Sequence, residues 1–290
     1  QIKGLFCLSY SYNKLTLSKV MKQLPLPVSV GIIVQRQATP IQRKPGYDMD
    51  KVMVLDHDVK DIGLYTRSVT EGEELELVKE FIDYYIHRFL KNNRINNLAV
   101  FIEPQISSGF PDIVFASYSA KILDHWSDER ERLNTNDLKV LSYLLLSGGC
   151  TGENLLAKLR LPEKTVLEAV GKLLDAKMIN RTSGMWKPVD VRNIYHIKKL
   201  VSVEAKMADI KKAAEQSLIN TWFASQSYAV VNTANPKDST IKSFERQSTG
   251  LYCRRKGFQK VVEAQKLKLP SSYLSLQFNE WIGKMAAYQS

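Results

Sequence analysis

Between about residues 131 and 189 the chain changes texture, and this break most restricts the folds open to it. On either side, short β-branched runs alternate with amphipathic stretches, the pattern of a sheet layered with helices. On the N-terminal side Val28–Val34, Val52–Leu55, Leu98–Ile102 and Ile113–Phe115 read as strands. A helix is expected over 70–91, opened by a Thr70/Glu73 capping box, with Glu71 and Glu74 suiting its dipole. Beyond the break come a strand at 200–206, a helix at 209–223 and strands at 228–231 and near Gly250–Cys253. The interior reads differently: helices around Leu138–Leu145, after Thr151 and after Pro162, then a hairpin formed by Met178–Arg181 and Gly184–Lys187. The expected architecture is an α/β domain, residues 1–130 and 190–290, interrupted by a helical module at 131–189.

The inserted stretch, carried by Leu161-Pro162-Glu163-Lys164-Thr165-Val166 and Leu173 through Ile179, resembles a winged-helix domain. That resemblance implies contact with DNA or protein through the third helix and the wing. Lys164, Lys172 and Arg181 are its candidate phosphate contacts, although Glu163 and Glu168 make the helix face mixed.

Charge narrows the partners. Lys and Arg number 41 against 30 Asp and Glu, a net charge of +11, which suits nucleic acid or an anionic membrane surface. The longest apolar run, Val28–Val34, is far short of the ~20 residues of a membrane span, and no basic amphipathic helix emerges, so no membrane partner is expected. Cys7, Cys150 and Cys253 stand singly and the N-terminus lacks a signal-peptide pattern, so a reducing cytoplasmic setting is expected. GxxxxGK[ST], GxGxxG and GxSxG motifs are missing, and His57, His87, His125 and His196 show no ligand spacing.

The carboxylates are more informative. Pro111-Asp112 before Ile113–Phe115, followed by Glu204-Ala205-Lys206 at the end of an apolar run, resembles the PD-(D/E)xK nuclease superfamily, with its restriction-endonuclease-like mixed sheet flanked by helices. The family core has a helix, strands bearing the acidic pair and the lysine, and a further helix after the lysine. Asp58-Val59-Lys60, Asp137-Leu138-Lys139 and Asp209-Ile210-Lys211 also fit the loose motif, and the first follows an apolar run too. Only Asp112 follows a proline, and the inserted module accounts for the roughly ninety residues between Asp112 and Glu204.

The resemblance implies a DNA endonuclease of restriction, defence or repair type. Asp112, Glu204 and the Ala205 carbonyl would hold Mg, with Mn as substitute, and Lys206 would face the scissile phosphate. Glu80 and Glu103 are candidates for an additional acid and Gln216 for a supporting residue. Alternation places Glu204 and Lys206 on one sheet face. A noncatalytic DNA-binding or regulatory protein on the same scaffold is the alternative, and double-strand cutting would favour a homodimer. Arg254, Arg255 and Lys256, with Lys260, Lys266 and Lys268, form a basic stretch beside Tyr252 and Phe258, suited to phosphates or to solvent. Trp222 and Phe223 read as core.

Overall fold

The computed structural model describes residues 50–67 and 72–289. The expected strand at Val28–Val34 and the Thr70 cap lie outside them. Nine strands and eight α-helices occur in the described chain: β1 Val52–Leu55, α1 Glu73–Asn92, β2 Asn96–Ile102, β3 Ile113–Ser119, α2 Thr135–Ser147, α3 Gly152–Leu159, α4 Glu163–Asp175, β4 Ile179–Thr182, β5 Met185–Pro188, α5 Val191–Ile194, β6 Ile197–Lys206, α6 Ile210–Asn220, β7 Gln226–Val231, α7 Asp238–Arg246, β8 Gly250–Arg254, β9 Phe258–Val262 and α8 Tyr273–Gln289.

Seven strands form one mixed sheet in the order β1-β2-β3-β6-β7-β8-β9. The β1–β2, β6–β7 and β7–β8 pairs are parallel, and each is joined by a crossover helix: α1, α6 and α7 respectively. The β2–β3, β3–β6 and β8–β9 pairs are antiparallel. β1 and β7 are buried at every position, as strands covered on both faces are.

Alternation along the strands sorts the core. Val52, Val100, Ile113, Phe115, Val201, Val203 and Tyr228 point to one face and are covered by Leu77, Phe81 and Ile82 of α1. Phe101, Val114, Ala116 and Leu200 point to the other, against Leu274, Phe278 and Ile282 of α8. The β7–β8 end of that second face is closed by Ala213 and Ala214 of α6 and Phe244 of α7.

Helices α2, α3 and α4 and the β4–β5 hairpin lie in the chain between β3 and β6. Leu138, Leu141, Val170 and Trp186 of this segment share one continuous core with α8 and the sheet. Its two junctions are tied to α8. Arg130 donates to Glu280 (Nε–Oε2 3.1 Å, Nη2–Oε1 2.6 Å) and to the Ile194 carbonyl (3.0 Å). Asn279 accepts from the His196 N–H at 2.8 Å and donates to the same Ile194 carbonyl.

Several local expectations change. Helix α1 begins at Glu73, and its N-cap is Gly72. Asp58-Val59-Lys60, the competing match to the loose motif, lies in a turn: Asp58 accepts from the Thr66 N–H at 2.8 Å, and a 3-10 turn follows at Lys60–Ile62. The C-terminal helix α8 is a 17-residue element buried from Leu274 to Met285 except at Gln277. Phe223 is core, but Trp222 is 49% exposed and meets Tyr273 edge-on. No helix of the described residues is long and apolar enough to cross a membrane.

Candidate functional site

Antiparallel pairing of β3 with β6 sets Ile113 opposite Val203. Asp112, just before β3, therefore lies beside the end of β6 that carries Glu204, Ala205 and Lys206. The Asp112 Oδ2 accepts from the Ala205 N–H at 2.8 Å and lies 3.5 Å from the Lys206 Nζ. Lys206 also donates to Glu74 Oε1 at 2.6 Å and to the Ala205 carbonyl at 2.9 Å. Glu204 turns toward α6, where the Asn220 side-chain amide donates to its Oε1 at 2.6 Å. Its Oε2 is buried with no hydrogen-bond partner.

A second cation closes the cluster. The Arg67 Nε donates to Glu103, and its Nη2 lies 4.0 Å from Asp112 Oδ1. Glu103 follows β2 with a positive φ of 47°, a conformation costly for a residue bearing a Cβ. The backbone there is fixed by Glu103 N–H to Asp112 carbonyl (3.0 Å) and Arg67 N–H to Glu103 carbonyl (3.1 Å) bonds. The strained residue thus locks the two acids and the arginine into one frame.

Among the described residues Asp112 is raised by Glu74 and Glu103 and itself raises Glu204, while Arg67 and Lys206 are the cations set against these four carboxylates. Burial raises Asp112 above its ordinary range, against the lowering effect of Lys206 and the Ala205 N–H. Glu204 is pushed up to about 8, first by burial and then by the Asp112 charge. Burial would lower Lys206, but Asp112 and Glu74 outweigh it and hold the ammonium above its usual value. Lys206 is therefore a cation at neutral pH.

The chain matches no protein-family model, no curated protein and no solved structure. The reading of the site rests on its own geometry.

Of the residues singled out in the sequence, Asp112, Glu204, Lys206 and Glu103 meet in this cluster. Glu80 does not: it accepts from Arg254 Nη2 at 2.6 Å instead. Gln216 lies one turn before Asn220 on α6, its Oε1 buried and without a partner. Among the other basic candidates, Lys172 pairs with Asp137 at 3.2 Å, Lys164 sits near Glu168, and Arg181 covers the Trp186 ring. Arg255 donates to the Ala234 carbonyl and to Asn235, and Lys256 is exposed in the β8–β9 turn.

Three site residues escaped sequence reasoning. Glu74 reads as a dipole-complementing first-turn acid, Asn220 as an ordinary helix residue, and Arg67 as part of a connection. Only the i, i+4 relation of Asn220 to Gln216 carried a signal.

Among the described residues no group of three or more His, Cys, Asp or Glu side chains forms a ready metal cage. The donor set still fits a hard divalent cation. It offers two converging carboxylates, one buried oxygen without a partner, and four acids facing two bases.

Proposed function

We propose that the chain is a metal-dependent DNA endonuclease of the PD-(D/E)xK type. In this reading residues 1–130 and 190–290 form a restriction-endonuclease-like domain, and 131–189 an inserted winged helix. The observation that carries the reading is the meeting of Asp112, Glu204 and Lys206 at neighbouring antiparallel strand ends. The order α1-β2-β3-β6-α6-β7, with the acids and lysine on adjacent strands and a helix after the lysine, supports it.

Asp112 and Glu204, with the Ala205 carbonyl, would hold Mg or Mn, which when bound supplies positive charge to a phosphate oxygen and acidifies water. Lys206, kept as an ammonium, donates to a phosphate oxygen and offsets the charge that grows during hydrolysis. Its protonation makes it an electrostatic partner; it is not a base for the attacking water. Asn220 fixes the Glu204 rotamer, and Glu74 holds the lysine over the site. Arg67, half-exposed at the rim, is placed to take a neighbouring phosphate.

A second reading, a noncatalytic DNA-binding protein recognising its target through the inserted segment, is favoured by one contact. The Ala205 carbonyl is already bonded by Lys206. Supercoiled plasmid incubated with Mg or Mn separates the two. The nuclease nicks it, and Asp112→Ala and Lys206→Ala abolish nicking while circular dichroism stays unchanged. DNA binding without cleavage across metals and substrates selects the second reading.

A further inference from the structure

A second polar cluster lies at the far end of α1, outside the carboxylate site. Lys199 sits on β6 about five residues before Glu204, roughly 16 Å along the strand. It is two residues before Val201, so its side chain leaves the sheet on the face covered by α1. Arg88 in the last turns of α1, Lys260 on β9 and Lys266 after it act on it electrostatically. The Leu267 N–H bond to the Ser225 carbonyl (2.8 Å), next to the start of β7, brings Lys266 alongside.

Among the described residues Glu263 is the acid that acts on Lys199, and Lys260, the Tyr228 hydroxyl and the Gln226 amide (2.9 Å) already hold it. Four cations thus face one committed carboxylate. The floor is aromatic: Lys260 stands 5.9 Å from the Tyr228 ring and 6.0 Å from that of Tyr252, and Arg88 donates to the Tyr84 hydroxyl at 2.8 Å.

Gathering like charges over apolar rings costs free energy in the absence of a counterion. Burial, then Lys260, push the Lys199 ammonium below its ordinary range, the direction that cost takes. We infer that Lys199, Lys260, Lys266 and Arg88 form a phosphate-binding site, distinct from the carboxylate pair, for a nucleotide or for the phosphates of a nucleic-acid strand. The inference stands whether or not the carboxylate site cleaves.

The test uses the full chain carrying Asp112→Ala, in low salt with a chelator present, so that cleavage and metal play no part. Inorganic pyrophosphate is titrated by calorimetry and a short fluorescent single strand by anisotropy. The expected result is binding of at least one probe, weakened roughly tenfold or more by Lys199→Gln and by Lys266→Gln, the scale of one charge-assisted hydrogen bond. Lys266 is exposed, so its variant carries little folding risk. Binding of pyrophosphate alone assigns a free nucleotide or polyphosphate; binding of the strand alone assigns nucleic acid. No binding of either probe, or binding that both variants leave within about twofold, less than one such bond is worth, overturns the inference.

Discussion

Glu204 carries the largest electrostatic consequence of any single side chain in the candidate site. Its folded pKa of about 8 lies above the ordinary 4.5, so between those values the folded protein holds a proton that the unfolded chain has released. Stability without metal therefore falls as pH rises through that window, by a few kcal/mol at most. Glu204→Gln is expected to flatten the decline, read as Tm against pH in chelator, and stabilisation by Mg should grow with pH as the proton becomes easier to displace. A Tm profile identical in the variant would remove Glu204 as the titrating group. The Arg130–Glu280 pair is a different case, since its side chains are 1% and 3% exposed. Arg130→Met leaves a buried, uncompensated carboxylate and is expected to cost about 3–5 kcal/mol in denaturant melts, with Glu280→Leu added to it recovering a large part.

At the scale of elements, legibility followed how directly a pattern reports burial. Strands β2, β3, β6 and β7 and helix α1 were readable because apolar runs and three- and four-residue spacing mark them without help from distant residues. Helix α8 is not legible in the sequence for a physical reason. Its buried face includes Ser275, Asn279, Glu280 and Lys284, each satisfied by a partner remote in sequence: the Phe223 carbonyl, His196 and Ile194, Arg130, and the Leu133 carbonyl. A pattern of polar and apolar residues then looks like a surface helix. Strand β9, at the sheet edge, was hidden by the basic residues that flank it, and α7 by its short polar sequence. In the site, the Pro-Asp and Glu-x-Lys spacing was visible, whereas Arg67, Glu74 and Asn220 join it only through tertiary placement. Close packing of α8 gives a further expectation. A Cβ at Gly283 would sit 2.0 Å from the Trp126 ring, which itself lies under the Arg130 guanidinium at 4.4 Å. Gly283→Ala should cost about 1–3 kcal/mol by overpacking, and an unchanged Tm would show that the ring moves aside freely.

For the whole molecule, the discontinuous α/β layer and the inserted segment were expected, but their shared core was not. Both junctions of the segment are bonded to α8, which also covers the sheet. Replacing residues 134–189 by a short linker should therefore abolish cooperative unfolding of the remainder, because one face of α8 would lose its cover; a sharp melt from the excised chain would show an autonomous sheet domain. Overall charge matters at this scale as well. The net +11 coexists with a four-carboxylate site, so the basic excess lies elsewhere, part of it around Lys199. On the proposed function, Asp112, Glu204 and Lys206 act as one unit on a phosphodiester. Single-turnover cleavage of plasmid in Mg or Mn by the wild type, Asp112→Ala, Lys206→Ala and the double variant tests it most directly. Each single change is expected to lower the rate by about a hundredfold or more, with the double variant little worse than the poorer single one; wild-type rates in Asp112→Ala, or losses that simply multiply, would show that the three residues do not work together.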